Sequence, residues 1–330
     1  GYIYKKEYEA KYCVGCEEEK TESELVDGKC PDHNLVPEII KEENYFFKLS
    51  AFGEKLLAFY EENPDFVVPA YRLNELKEFI KSGLRDFSIS RLKEKMSWGV
   101  PVPGDDDHVM YVWFDALVNY ISTLGWPNEE GNFKDFWVEG TPTQYCGKNN
   151  TRFQGLMWQA MLMGAGVGPT EKIVVDGFIL GEGGVKMSKT LGNTIDPLDI
   201  VKEYGTDALR YFALREFHPF EDTAVSKDKL LESYNANLAN GIGNLTSRIM
   251  KMAENGGVKL DNPTEFSLTG LEDGFRKNVD NFDLKSAMDY IWLRIGYVDK
   301  WIQDKQPYKT IKEDFDKGKS EIIFLLEELH

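Results

Sequence analysis

Gly183–Gly184–Val185–Lys186–Met187–Ser188–Lys189–Thr190–Leu191–Gly192–Asn193 is the stretch from which the rest of the chain is read. Glycines precede it and Gly192 closes it, so its backbone has little bias and can open or close over a ligand. Lys186 and Lys189, three residues apart, can set two ammonium groups on one side of a tight turn and neutralise polyphosphate charge. A surface hairpin with solvated lysines explains the same residues, and charge alone does not separate the two. Upstream, residues 171–180 read as a parallel-sheet strand delivering the loop. Downstream, Asp196–Pro197 opens a helix running to Leu214, by capping geometry and the fixed φ of proline, with a break at Tyr204–Gly205.

With 330 residues the chain is long enough for two or three domains, and Phe 20, Tyr 16 and Trp 7 argue against disorder. Asp+Glu 56 outnumber Lys+Arg 39, giving a formal net charge of -17. A surface that coats nucleic acid generally is excluded, and RNA contact requires local positive or aromatic patches. No apolar run is long enough for a bilayer and no basic-plus-apolar leader opens the chain, so the reading is cytoplasmic with no membrane. The start at Gly1–Tyr2–Ile3–Tyr4 and the stop just after apolar residues 322–326 read as a fragment.

Cys13-x-x-Cys16 and Cys30-Pro31-Asp32-His33 each present two ligands from one tight turn, and two such turns make a tetrahedral zinc site. Free thiols beside a surface histidine are the alternative. Four protein ligands leave no open position, so the metal is structural. Between the pairs, residues 24–29 read as a short strand entering an Asp-Gly turn.

Residues 52–60 read as an amphipathic helix ending before Asn63–Pro64, and residues 73–80 as another stopped at Ser82–Gly83. Arg91 reads as a solvated surface group with no catalytic role. Residues 108–115 read as a buried strand leading into a helix over 116–121. Small Ala116 near Trp113 and Tyr120 can leave a narrow apolar cavity suited to a thioether side chain; plainly packed aromatics are the alternative. Strand, glycine turn and the helix Arg152 to Met163 would expose backbone N–H groups beside a ligand at Gly147–Lys148–Asn149–Asn150. Beyond residue 220 the pattern is mainly helical: Ser226 caps one helix, another carries Leu238, Ile242, Leu245 and Ile249, and further helices follow around 274–277 and 284–301.

The run G-x-K-M-S-K-T-L-G-N resembles the signature loop of class I aminoacyl-tRNA synthetases. With Tyr12–Cys13–Val14–Gly15–Cys16, Tyr111–Val112–Trp113–Phe114–Asp115–Ala116, Gly147–Lys148–Asn149–Asn150 and Asn235–Ala236–Asn237–Leu238–Ala239–Asn240, it resembles the methionyl-tRNA synthetase family over nearly the whole chain. The resemblance implies an α/β fold: a partial class I nucleotide-binding fold with a zinc-knuckle insertion, followed by an all-α bundle. Its domains would be 1–107, the connective insertion and return segment; 108–182, the second half of the nucleotide-binding fold; 183–225, the lysine loop and stem-contact region; and 226–330, a partial anticodon-binding bundle.

By the same resemblance, Trp113, Ala116, Leu117, Tyr120, Phe153 and Trp158 line or support a methionine pocket. Gly147, Asn149, Ile179, Lys186 and Lys189 face ATP, which enters with Mg2+, and Lys186 and Lys189 are catalytic. Asn244, Arg248 and Tyr308 contact the methionine tRNA, and Cys13, Cys16, Cys30 and His33 hold structural Zn2+. The family usually has aspartate where this chain has Asn149, and often histidine at Asp176 and tryptophan at Tyr308. The opening strand and histidine-rich ATP signature are not found: none of His33, His108, His218 and His330 has that context. The implied function is part of a methionine–tRNA ligase, inactive alone, either truncated or split with an N-terminal catalytic-half partner. A non-catalytic protein that binds tRNA or another partner through its helical region is the alternative.

Overall fold

The computed structural model describes residues 1–16, 18–187, 193–260 and 272–330. Backbone contacts divide the chain into two compact units, Gly1–Val175 and Asp176–His330.

In the first unit, β1 (Ile3–Cys13) pairs antiparallel with β2 (Glu18–Lys20) on one side and β3 (Glu38–Phe47) on the other. The β1–β3 ribbon carries the cysteine turns at one end. Helix α1 (Gly53–Glu62), the short strand β4 (Val67–Val68) and helix α2 (Ala70–Lys81) follow. Phe52, Leu56 and Tyr60 recur at helical spacing, as do Leu73, Leu76 and Ile80, and both stripes are buried. β5 (Phe87–Ser88) joins the first sheet, in the order β2-β1-β3-β5. β6 (Ser90–Leu92), β7 (Pro101–Val102) and β8 (Asp105–Met110) form an antiparallel sheet ordered β6-β8-β7.

The expected strand over 108–115 stops at Met110. Tyr111 begins the next element, and α3 (Val112–Ala116) is already helical, followed by α4 (Asn119–Ser122). A short aromatic and β-branched run carries no periodicity that distinguishes strand from helix. β9 (Thr143–Gly147) then leads through helical turns into α5 (Gln159–Ala165) and back to β10 (Lys172–Asp176). The sheet order is β4-β10-β9, with β4 and β10 parallel. Leu156, Trp158, Leu162, Ile173 and Val175 meet the α1 and α2 stripes in one core.

The expected strand over 171–180 is interrupted. Its second part, β11 (Ile179–Leu180), pairs parallel with β12 (Thr223–Ala224) in the second unit. At the break, a Cβ on Gly177 would lie 2.2 Å from the Glu221 carbonyl oxygen, so the close backbone approach admits glycine alone.

The expected helix after Asp196 is two helices, α6 (Pro197–Tyr204) and α7 (Thr206–Glu216), parted at Gly205 where φ is 87°. Asp196 accepts a hydrogen bond from the Leu198 amide, and Ser226 accepts one from Lys229 at the start of α8 (Lys227–Ser233). A π-helical segment, Tyr234–Gly243, continues into α9 (Asn244–Gly256). The unit closes with α10 (Glu272–Asp280), α11 (Leu284–Lys305), α12 (Pro307–Glu313) and α13 (Phe315–Leu329). Leu245 and Ile249 of α9 pack with Val298 and Ile302 of α11 and Leu325 of α13. Among the described residues, no helix is long and apolar enough to cross a membrane.

Candidate functional site

Cys13 closes β1, Cys16 lies on the turn that follows, and Cys30 and His33 come from a second turn. The second turn is set by the hairpin Val26–Lys29, whose Asp27 and Gly28 both take positive φ, as an Asp-Gly turn demands. The ligand atoms of all four lie within 4.8 Å of one another. Cys16 Sγ is 3.4 Å from Cys30 Sγ and 3.3 Å from His33 Nδ1, and Cys30 Sγ is 3.9 Å from His33 Nδ1. A tetrahedral zinc centre requires ligand–ligand edges of roughly 3.5–3.8 Å, so the four donors fit in kind, and Cys16, Cys30 and His33 lie close to that spacing. A Cβ on Gly15 would meet the His33 ring at 2.6 Å, so glycine there lets the imidazole lie against the first turn.

Burial and hydrogen bonds to Cys30 and Cys13 push the Cys16 thiol up to about 12. Burial opposes ionisation of Cys30 as well, but hydrogen bonds from the His33 side chain and backbone override it and bring the thiol down to about 6. The cluster can hold a metal ion, and its four donors leave no vacant coordination position.

The aromatic candidates come together in pairs. Trp113 on α3 stacks on Phe153, with ring centroids 4.4 Å apart and planes at 18°. Tyr120 on α4 tilts against Trp158 at 5.9 Å. Leu117 and Trp158 are each 1% exposed, whereas Ala116 is exposed. Phe153–Trp158 forms one π-helical turn, a geometry frequent at functional sites. Trp158 also lines an apolar cavity of about 410 Å³ with Tyr2, Phe114, Val118 and Met161.

Gln154 has a part that sequence reasoning missed. It is buried, and its Nε2 donates to the Tyr120 hydroxyl at 2.7 Å while its Oε1 has no hydrogen-bond partner among the described residues. Gln159 donates to the Gln154 carbonyl and to Thr170, whose hydroxyl donates to Gln144. The signal available was an amide four residues from Trp158, inside an apolar helical stripe. Arg91 is a correction of the opposite kind. It is 8% exposed rather than solvated, with its guanidinium over the rings of both Tyr12 and Tyr111.

Gly147 ends β9, and exposed Asn149 lies on the single helical turn Lys148–Asn150 that follows. Ile179 and Lys186 belong to the second unit. Ile179 is exposed on β11, and Lys186 bridges Leu180 in an antiparallel turn with its Nζ 5.5 Å from the Phe178 ring centroid. Lys189 lies outside the described residues. Asp176 is half-buried, and burial pushes its carboxyl up.

Asn244 and Arg248 are one turn apart on α9, and Tyr308 on α12 is exposed. Arg248 is ion-paired through Nη1 with Asp299 Oδ1 at 2.5 Å.

The family tRNA synthetases class I (M) matches residues 2–250. The chain belongs to the class I tRNA synthetases (M). Among curated members, a methionine–tRNA ligase of Caldanaerobacter subterraneus subsp. tengcongensis is 41% identical over 97% of this chain and 51% of its own length. A chloroplastic/mitochondrial methionine–tRNA ligase of Arabidopsis thaliana is 39% identical over 99% of this chain and 55% of its own. The chain spans about half the length of the curated relatives it matches. Among solved class I synthetases, Mycobacterium tuberculosis methionyl-tRNA synthetase bound by methionyl-adenylate superposes with a TM-score of 0.88 and 35% identity. It is matched over 99% of this chain and 66% of that one. The mixed α/β architecture with a helical region and a Cys/His cluster is thus a class I synthetase fold.

Proposed function

We propose that this chain is the methionine-binding and tRNA-binding portion of a methionine–tRNA ligase. In this reaction the methionine carboxylate attacks the α-phosphorus of ATP, pyrophosphate leaves, and the methionyl group passes from the adenylate to tRNA. The observation that carries the reading is the two aromatic pairs Trp113–Phe153 and Tyr120–Trp158, within a chain superposing on a methionyl-adenylate-bound synthetase. Flexible thioethers pack well against ring faces and edges, which suits Trp113, Leu117, Tyr120, Phe153 and Trp158 to methionine.

Gly147, Asn149 and Ile179 would face ATP, which enters with Mg2+, and Lys186 and Lys189 would stabilise charge on the phosphates. Asn244, Arg248 and Tyr308 would read the tRNA by hydrogen bonding and stacking. Cys13, Cys16, Cys30 and His33 would hold zinc, which supplies folding free energy to the knuckle and no reaction step. Residues 1–107, 108–182, 183–225 and 226–330 would be the insertion, the second nucleotide-binding half, the lysine loop region and the anticodon-binding bundle.

The complete reaction would draw on groups outside these residues, in the same polypeptide or an N-terminal partner. The test is direct: the chain joined to the N-terminal catalytic half of the 41% identical relative should form methionyl-adenylate in preference to leucyl, isoleucyl or valyl adenylate. A folded joined protein that activates none of them, or prefers another of the four, contradicts the reading.

A further inference from the structure

We infer that metal occupancy of the knuckle is transmitted to the Trp113–Phe153 stack through two arginines, Arg91 and Arg152. The inference rests on the metal reading above and adds positioning residues to it.

The first route starts beside a ligand. Tyr12 precedes Cys13 on β1, and the Arg91 guanidinium lies 5.3 Å from the Tyr12 ring centroid and 4.6 Å from that of Tyr111. Its orientation is fixed by Nη1, which donates to the Ser90 carbonyl at 2.7 Å and the Ser88 hydroxyl at 3.0 Å. Tyr111 is buried, and its carbonyl accepts from the Phe114 and Asp115 amides, so it anchors the first turn of α3, which carries Trp113. A planar cation over two rings is attracted to both, so a shift of one ring is felt at the other.

The second route leaves the loop that the four ligands close. Glu24 lies between Cys16 and Cys30 in the chain, is held by the Thr21 amide and hydroxyl, and sits 3.6 Å from Arg152 Nη1. Arg152 lies 4.1 Å over the Phe79 ring, and its chain neighbour Phe153 is the other member of the stack. The Glu24–Arg152 pair is exposed and weak by itself, so the buried Arg91 route dominates. Both routes border one cleft of about 530 Å³, whose lining includes Glu24, Arg91, Tyr111, Arg152 and Phe153.

Hydrogen–deuterium exchange on the whole chain, before and after chelation and with bound metal counted in each sample, tests this. In the parent protein, chelation should speed exchange at least about threefold in residues 112–116 and 153–158 as well as in the knuckle. In Arg91→Lys, which keeps charge but loses the planar stack, the knuckle should still respond while those two segments respond less than about half as much. Arg152→Gln, at an exposed position, should blunt 153–158 alone and serves if Arg91→Lys does not fold. Metal bound with no response at either segment in the parent, or an equal response in the variants, overturns the inference alone. A folded chain that binds no metal overturns both it and the metal reading.

Discussion

The ring of Phe153 lies flat against the indole of Trp113, 4.4 Å between centroids, although the two residues are 40 positions apart and on separate elements. Such a pair contributes about 0.5–1.5 kcal/mol beyond the area it buries. Phe153→Ala should therefore destabilise the first unit by about 1–3 kcal/mol in a urea titration. In the joined enzyme it should raise the methionine KM about tenfold with a smaller change in kcat. Phe153→Leu should fall between. An unchanged KM would remove Phe153 from the pocket.

Removing one ligand from the knuckle should release its metal. Cys30→Ser is expected to lower bound zinc from about one per chain to near zero by atomic emission, with the α1–α2 core still folded by circular dichroism. Retention of stoichiometric zinc would show that Cys30 is not a ligand.

Asp105 carries a pH dependence whose sign follows from its surroundings. His108 and Lys5, together with the Tyr45 hydroxyl, hold its carboxyl well below the usual carboxylate range. The folded chain therefore binds its proton less readily than the unfolded chain. The resulting stabilisation is full above the unfolded value near pH 4 and is lost as pH falls through the lower folded value. Urea midpoints of the parent should exceed those of Asp105→Asn at pH 6, and the gap should narrow below about pH 4. A gap independent of pH would contradict the assignment.

Asn149 supplies an amide where the family usually has a carboxylate. Asn149→Asp should raise kcat/KM for methionine activation in the joined enzyme, since a full negative charge would be restored beside the substrates. An unchanged or lower value would place residue 149 outside the reacting centre.

Features set by a few neighbouring residues were legible in the sequence. The Asp196 and Ser226 caps, the Gly205 break, the Asp27–Gly28 turn and the four clustered Cys/His side chains all rest on local chemistry. What depended on distant partners was not. Just after β10, Gly177 meets the backbone of Glu221, and the Gln154 amide meets the Tyr120 hydroxyl from another helix. Arg91 looked like surface because neither Tyr12 nor Tyr111 is near it in the chain. Residues 112–115 were misjudged because aromatic and β-branched side chains suit a strand, while the chain turns helical after Tyr111.

The central claim is that this chain holds one portion of a methionine-activating site, with Lys189 acting on the phosphates. Methionine-dependent ATP–pyrophosphate exchange, measured with magnesium and zinc on the chain alone, on the joined enzyme and on its Lys189→Ala variant, tests it most directly. The account predicts no exchange by the folded chain alone, clear exchange by the joined enzyme, and a loss of about two orders of magnitude, roughly 3 kcal/mol, in the variant. Exchange by the chain alone, or a Lys189→Ala enzyme as fast as its parent, would contradict it.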